Sequence, residues 1–345
     1  MIEPMTAPLK GEIDPGAFTH TQFAHCESGV ASNLLRHYGL QISEPMAFGI
    51  GSGLFFGHLP FVKVNGIPGT TYRIWPGGIF NKLCKRLGVK MVSQKFKQPA
   101  KAMAALDELL KEGIPVGMQT SVYYLPYLPP AYRFHFNAHN LVVFGKDGED
   151  YLVSDPVMEE VAKIDYDSLA KARFAKGYPE PSGKLYYPVE VPKQVDLSKA
   201  IKQGIDQTCN FMLRVPVPML GVKGIKFLGK RVKKYPQLGD RRATLFLGNI
   251  IRMQEEIGTG GAGFRFMYAA FLQEAANYLE RDELKPMAQE LTAIGDQWRQ
   301  FAFDAGRICK SRESHANGYD LLSDRLMAIA SQETDFYKKL WKVKL

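Results

Sequence analysis

The sequence predicts an α+β domain over residues 1–190 followed by a mainly α-helical domain over 191–345, and three observations carry that expectation. The first half mixes helical and strand patterns, whereas helical periodicity dominates after about residue 190. The texture changes around PVEVPK, which places the boundary within 185–195. Within the first half, a cysteine at the start of a helical pattern, a histidine on a strand pattern and an aspartate after the next strand follow in chain order: Cys26, His139 and Asp155.

The elements follow in order. Val30, Leu34, Leu35 and Tyr38 form a helical stripe over 26–38, and Cys26 falls on it at i, i+4, i+8 with Val30 and Leu34. The thiol is therefore expected to face inward. Residues 45–79 are rich in Gly and Pro and read as loops with short strands. A helix is expected from Gly77 to Leu87 and a strand from Val89 to Phe96. Pro99 to Lys111 reads as a helix with proline in its first turn and Gly113 beyond its end. The apolar run Ile114–Thr120 suits a buried strand. An aromatic, proline-rich loop, YYLPYLPPAYRFHF, precedes two strand patterns, HNLVVFG and DYLVSDP. The Asp-Gly of KDGE between them is a hairpin signal. Later helices are expected over Asp240–Ile257, Phe264–Glu280, Glu283–Cys309 and Leu321–Trp341.

Composition narrows the class. With 46% hydrophobic residues the chain can bury a large core. No stretch reaches 18 uncharged apolar residues, so no membrane-spanning helix is expected. The N-terminal sequence lacks a basic start followed by an apolar run, so no secretory signal is expected. Four widely spaced cysteines without a CxxC suit a reduced, cytoplasmic protein. The net charge of +9 is uneven: the stretch 214–242 carries nine basic residues against one acid, Asp240. Such a patch calls for an acidic partner or a solvated face. Interleaved apolar residues (Ile225, Phe227, Leu228, Val232) lean toward contact with a protein or lipid. No nucleic-acid-binding motif accompanies the patch, so no nucleic-acid partner is expected.

The chemistry expected of Cys26, His139 and Asp155 is nucleophilic. A helix N-terminus stabilises an anion, an imidazole takes the thiol proton, and an acid behind it fixes its orientation. Each alone has a plain structural reading: a buried small hydrophobe, a hydrogen-bonded strand histidine, a turn aspartate. Together in this order they suit a papain-like system. The Cys26 N–H is the natural oxyanion donor, and the Gln22 amide is a second candidate. His25 would cap the helix or shape the entrance. Tyr124 and His135, in the aromatic loop, are further site-shaping candidates. A metal reading would draw on His20, His25 and Cys26 with His37 or His58, but these lack a zinc spacing, and no metal is expected. The glycine-rich stretches GIGSGLFFG (49–57) and GTGGAG (258–263) match no nucleotide-binding context and read as turns, so no cofactor is expected.

The stretch HCESGVASNLLRHYGLQISEPMAFGIGSGLFF resembles the opening motif of the butirosin biosynthesis protein H family. AHNLVVFG and YLVSDP resemble the same N-terminal domain, and also the His and Asp strands of bacteriocin-processing cysteine peptidases. GTGGAGFRFMYAAFLQEAA is similar to the helical domain that commonly follows. The resemblance spans about residues 20–340.

It implies a cysteine-peptidase-like fold turned to acyl transfer, with Cys26 as nucleophile, His139 as base and Asp155 as orienting acid. The donor would be an acyl carrier protein thioester, and phosphopantetheine would enter only as part of that donor. The acceptor would be a small amine, giving an amide in secondary-metabolite or lipid-like metabolite biosynthesis. The helical domain and loop 123–136 would exclude water. The basic patch would suit docking of an acidic carrier. The alternative is a cysteine peptidase or amidase that hydrolyses an amide or thioester, and a third class is a binding protein that lost the chemistry. A homodimer through the apolar helices is an open arrangement.

Overall fold

A computed structural model describes residues 18–64, 66–310 and 315–344. In chain order the elements are α1 (Cys26–His37), α2 (Glu44–Ile50), β1 (Leu54–Val64), β2 (Ile67–Arg73), α3 (Gly78–Leu87), β3 (Lys90–Gln94), α4 (Pro99–Lys111) and β4 (Val116–Thr120). There follow β5 (His139–Asp147), β6 (Asp150–Ser154), β7 (Ala162–Ile164), α5 (Tyr166–Arg173) and β8 (Leu185–Glu190). The chain continues through α6 (Ser198–Leu213), α7 (Gly221–Val232), α8 (Asp240–Glu255), α9 (Arg265–Leu279), α10 (Leu284–Cys309) and α11 (His315–Leu340). The architecture is α+β, with a sheet-containing part and a mainly helical part.

The chain divides into two compact units. The first takes in the chain up to Glu44 and then Leu83–Asp196; the second takes in Pro45–Lys82 and Leu197–Leu345. The division thus differs from a single cut near 190, because residues 45–82 group with the later helices.

The first unit is built on a six-stranded antiparallel sheet in the order β3-β8-β4-β5-β6-β7. Alternating residues of its central strands (Val116 and Met118; Leu141 and Val143; Tyr151 and Val153) enter one apolar cluster with Met103 and Leu106 of α4. The β5–β6 hairpin turns at Gly148, whose φ of +62° suits glycine, and pairs Asp147 with Asp150. α1 runs along β5.

In the second unit, β1 and β2 form a two-stranded antiparallel ribbon with irregular register. Where loops with short strands are expected over 45–79, the chain forms α2 and this ribbon. Glycine is used there for close packing: a Cβ on Gly49 would lie 2.1 Å from the Phe271 ring. Phe56, Tyr72 and Phe301 surround the fully buried Trp298, with ring centroids 5.4–6.1 Å from it. The basic stretch 214–242 contains α7. Its interleaved apolar residues Ile225, Leu228 and Val232 are fully buried. They form the core face of an amphipathic helix, which corrects the reading of these three as a contact surface; Phe227 is half-buried.

GTGGAG is a turn held by its own chain. The Ala262 N–H donates to the Glu255 carboxylate, and the Gly261 N–H donates to Thr259 Oγ1. Among the described residues no helix is long and apolar enough to cross a membrane.

Candidate active site

Three elements of the first unit converge on the site. α1 begins at Cys26 with His25 as its extended N-cap, and the Ser28 N–H donates to His25 Nδ1 at 3.3 Å. The Glu44 carboxylate fixes the entry to α1. Its Oε2 accepts from the Ala24 N–H (3.0 Å), and its Oε1 accepts from the His25 N–H (2.7 Å) and Ser28 Oγ (3.2 Å). Burial pushes the Glu44 carboxyl up, and these donors oppose the rise. The Cys26 N–H, first of the helix, has no acceptor among the described residues.

The segment before α1 is strapped to the end of β6. The Phe23 N–H donates to the Pro156 carbonyl at 2.6 Å. His20 Nε2 donates to the Met158 carbonyl at 3.1 Å, so a neutral His20 accepts from Ser154 Oγ at Nδ1 (2.8 Å). Gly29 makes room for the same strap: a Cβ there would lie 2.6 Å from Pro156 Cβ and 2.8 Å from Phe23 Cβ. These contacts set Cys26 relative to the residues around Pro156.

His139 opens β5 and Asp155 follows β6. Val142 pairs with Ser154, so extending the register by one pair puts Asp155 opposite Leu141. His139, two residues from Leu141, then faces the same way as a diagonal neighbour. His139 Nε2 lies 2.7 Å from Asp155 Oδ2. That leaves Nδ1 as the nitrogen not held by Asp155, and the Cys26 side chain lies near enough to the ring to bear on its pKa. All three side chains are buried.

Burial by itself would lower the His139 pKa. The charge and hydrogen bond of Asp155, followed by those of Cys26, override it and raise the imidazole to about 10.

Asp155 is more fully engaged than the sequence indicates. Oδ2 also accepts from the Tyr127 hydroxyl at 2.9 Å, and Oδ1 accepts from the Val157 N–H at 3.2 Å. Tyr127 lies in the aromatic loop, but no spacing singles it out from the five other tyrosines and phenylalanines of that loop. Glu44 lies within the opening motif HCESGVASNLLRHYGLQISEPMAFGIGSGLFF, which assigns it no role.

Cys26, His139 and Asp155 are thus brought together, with His25 beside them as a helix cap. Gln22 is exposed on the segment before α1. Tyr124 is half-buried against the sheet core, and His135 is exposed and stacks on Tyr123 with centroids 4.2 Å apart. Among the described residues no three His, Cys, Asp or Glu side chains group as a metal site. His20, His25 and His58 are each engaged elsewhere, His58 with Thr70 Oγ1 at 2.9 Å.

Comparison with known proteins matches two stretches of the chain to family models. The model described as butirosin biosynthesis protein H, N-terminal, matches residues 25–156, a span that contains Cys26, His139 and Asp155. No curated protein matches the sequence. Among solved structures, one described as a C39-like peptidase from Bacillus anthracis aligns at a TM-score of 0.36 and 16% identity. It covers 53% of this chain and 98% of that one. A second family model, described as a domain of unknown function, DUF4872, matches residues 167–340. The chain belongs to the DUF4872 family, and ahead of that domain it matches the family model of the butirosin biosynthesis protein H N-terminal domain.

Proposed function

We propose that the protein is a cysteine-dependent N-acyltransferase. It would take an acyl group from a carrier-protein or similar thioester onto Cys26 and deliver it to a small amine, forming an amide. The observation that carries this reading is the buried pair in which Asp155 Oδ2 lies 2.7 Å from His139 Nε2, with the buried Cys26 side chain near the same ring.

The proposed steps balance. The Cys26 thiolate attacks the thioester carbonyl, with the Cys26 N–H facing the oxyanion. The tetrahedral adduct expels the donor thiolate, which takes the proton from His139. The acceptor amine then attacks the acyl-cysteine and gives a proton to His139, and collapse expels the Cys26 thiolate. The imidazolium–thiolate pair is regenerated. Asp155 holds the ring in orientation throughout and does not itself change protonation.

Gln22 is the proposed second oxyanion donor, and the aromatic loop with Tyr124 and His135 is proposed to shape the entrance. No cofactor is required beyond the phosphopantetheine that belongs to the donor. The family's tie to butirosin biosynthesis supports transfer in secondary-metabolite assembly, and a cytoplasmic location fits that role.

Intact-protein mass spectrometry tests the reading. Wild type and Cys26→Ala are incubated with acyl-pantetheine thioesters of several chain lengths. A mass gain equal to the acyl group in wild type only, discharged faster by added amines than by water, is the expected result. Discharge by water alone would make the protein a hydrolase. No adduct with any chain, together with a Cys26 inert to iodoacetamide, would remove the proposal.

A further inference from the structure

The second unit carries a groove that the chemistry at Cys26 does not use. It is formed by the end of α6, the start of α7 and the C-terminal end of α11, and has a volume of about 690 Å³. Leu213, Val222 and the Trp341 ring give it apolar walls.

Five cations line it. Arg214, Lys223 and Lys226 come from the α6–α7 side, and Lys338 and Lys342 from the α11 side. The sequence spacing forces them together. Lys223 and Lys226 stand at i, i+3 on α7, and Lys338 and Lys342 at i, i+4 at the end of α11. Like charges at these spacings repel. Little neutralises them. Lys338 is 3.9 Å from Asp335, and the Arg214 guanidinium lies 4.2 Å above the Trp341 ring. Lys223, Lys226 and Lys342 have no carboxylate partner among the described residues.

We propose that this groove binds an organic phosphate: a small ligand with at least two phosphate groups on an aromatic or apolar body. The cation count calls for a multiply charged anion, and Arg214 offers the planar fork that matches phosphate oxygens. The apolar walls and the Arg214–Trp341 platform call for more than an inorganic ion. The concavity is of the size that encloses a small molecule, which favours that over a macromolecular face. Conformity with the sequence is direct, since Arg214, Lys223 and Lys226 are the first three cations of the basic stretch. The proposal is independent of the reading of Cys26.

Isothermal titration of the full chain at low and physiological salt tests it, with inorganic phosphate, pyrophosphate and adenosine diphosphate as probes. The variants are Lys226→Gln, Lys342→Gln and the pair together, with Lys101→Gln, an exposed residue of α4, as control. All are surface substitutions, and circular dichroism checks their folding. Expected is tightening from phosphate to pyrophosphate to adenosine diphosphate, weakened by salt. Each single variant should weaken adenosine diphosphate binding by about three- to tenfold and the pair by at least about tenfold, with no change in the control. Absence of binding up to millimolar concentrations overturns the proposal. So does equal binding by the double variant, which would mean adventitious ion binding elsewhere. Vesicles containing phosphatidylglycerol form the last arm. If they bind through Lys226 and Lys342 while the soluble probes do not, the groove is a membrane-facing surface and the proposal fails.

Discussion

Tyr127 and His139 both donate to the same oxygen of Asp155: the phenol lies 2.9 Å and the imidazole Nε2 2.7 Å from Oδ2. The Tyr127 hydroxyl therefore stabilises the carboxylate that holds His139, and it ties the aromatic loop to that pair. Burial, with the Asp155 charge behind it, pushes the phenol pKa well up, so it remains a donor.

Tyr127→Phe should lower kcat/KM by about tenfold, the scale of one hydrogen bond to a buried charge. It should also move the alkaline limb of the pH profile upward. A carboxylate with fewer donors holds the imidazolium proton more strongly. A loss of activity with an unmoved limb would mean that the phenol only supports the loop.

Gly29→Ala sets two effects in opposition. Alanine favours a helix over glycine by about 1 kcal/mol. The new Cβ, however, would lie within 3 Å of both Pro156 and Phe23, which are themselves joined by a backbone hydrogen bond. Proline cannot swing away, so α1 must shift, at a cost of about 1–3 kcal/mol. The shift moves Cys26 relative to the Asp155–Pro156 end of β6. A net loss of stability in urea denaturation, with a fall in the rate of Cys26 alkylation, is the expected result. A more stable variant with unchanged alkylation would refute the packing account.

Much of this arrangement was legible because its signals are local. Pro99 and Gly113 bracket α4, Asp147-Gly148 marks the β5–β6 turn, and the α1 stripe predicted a buried Cys26. The order of Cys26, His139 and Asp155 along matching elements followed from the same patterns. Tyr127 was not legible because it meets Asp155 across 28 residues of chain, from a loop without periodicity. The grouping of residues 45–82 with the later helices was not legible for a related reason. Their grouping rests on long-range close approaches, such as Gly49 against Phe271 and Gly204 against the Gly49 carbonyl. Glycine and proline content reports local turns and carries no record of such partners.

The raised His139 pKa makes stability depend on pH. In the unfolded chain the imidazole titrates near its ordinary value of 6.5, and in the folded protein near 10. Between these values the folded state binds the extra proton. The contribution is therefore fully present below 6.5 and is lost as pH rises through about 10. The stability difference between wild type and His139→Gln should shrink from pH 6.5 to pH 10 in chemical denaturation. A difference constant across that window would show that His139 does not hold its proton in the folded state.

The second unit is organised around a buried ion pair that the apolar pattern of 264–280 gave no reason to expect. Arg265 meets Glu333 through two parallel bonds, Nε to Oε1 at 2.9 Å and Nη2 to Oε2 at 3.0 Å, with both side chains fully buried. Trp298 Nε1 donates to Oε1 at 2.7 Å, and Arg265 Nη1 donates to the Gly263 carbonyl at 2.8 Å. The pair thus links the tryptophan core to the turn before α9. Glu333→Leu strands a buried guanidinium and should cost about 3–5 kcal/mol. Arg265→Met with Glu333→Leu removes both charges and leaves only the indole N–H and the Gly263 carbonyl without partners, at about 1–3 kcal/mol each. The double variant should accordingly lose less than the sum of the two single variants in a urea double-mutant cycle. If the losses simply add, the two charges do not depend on each other, and the core is held by its aromatic packing alone.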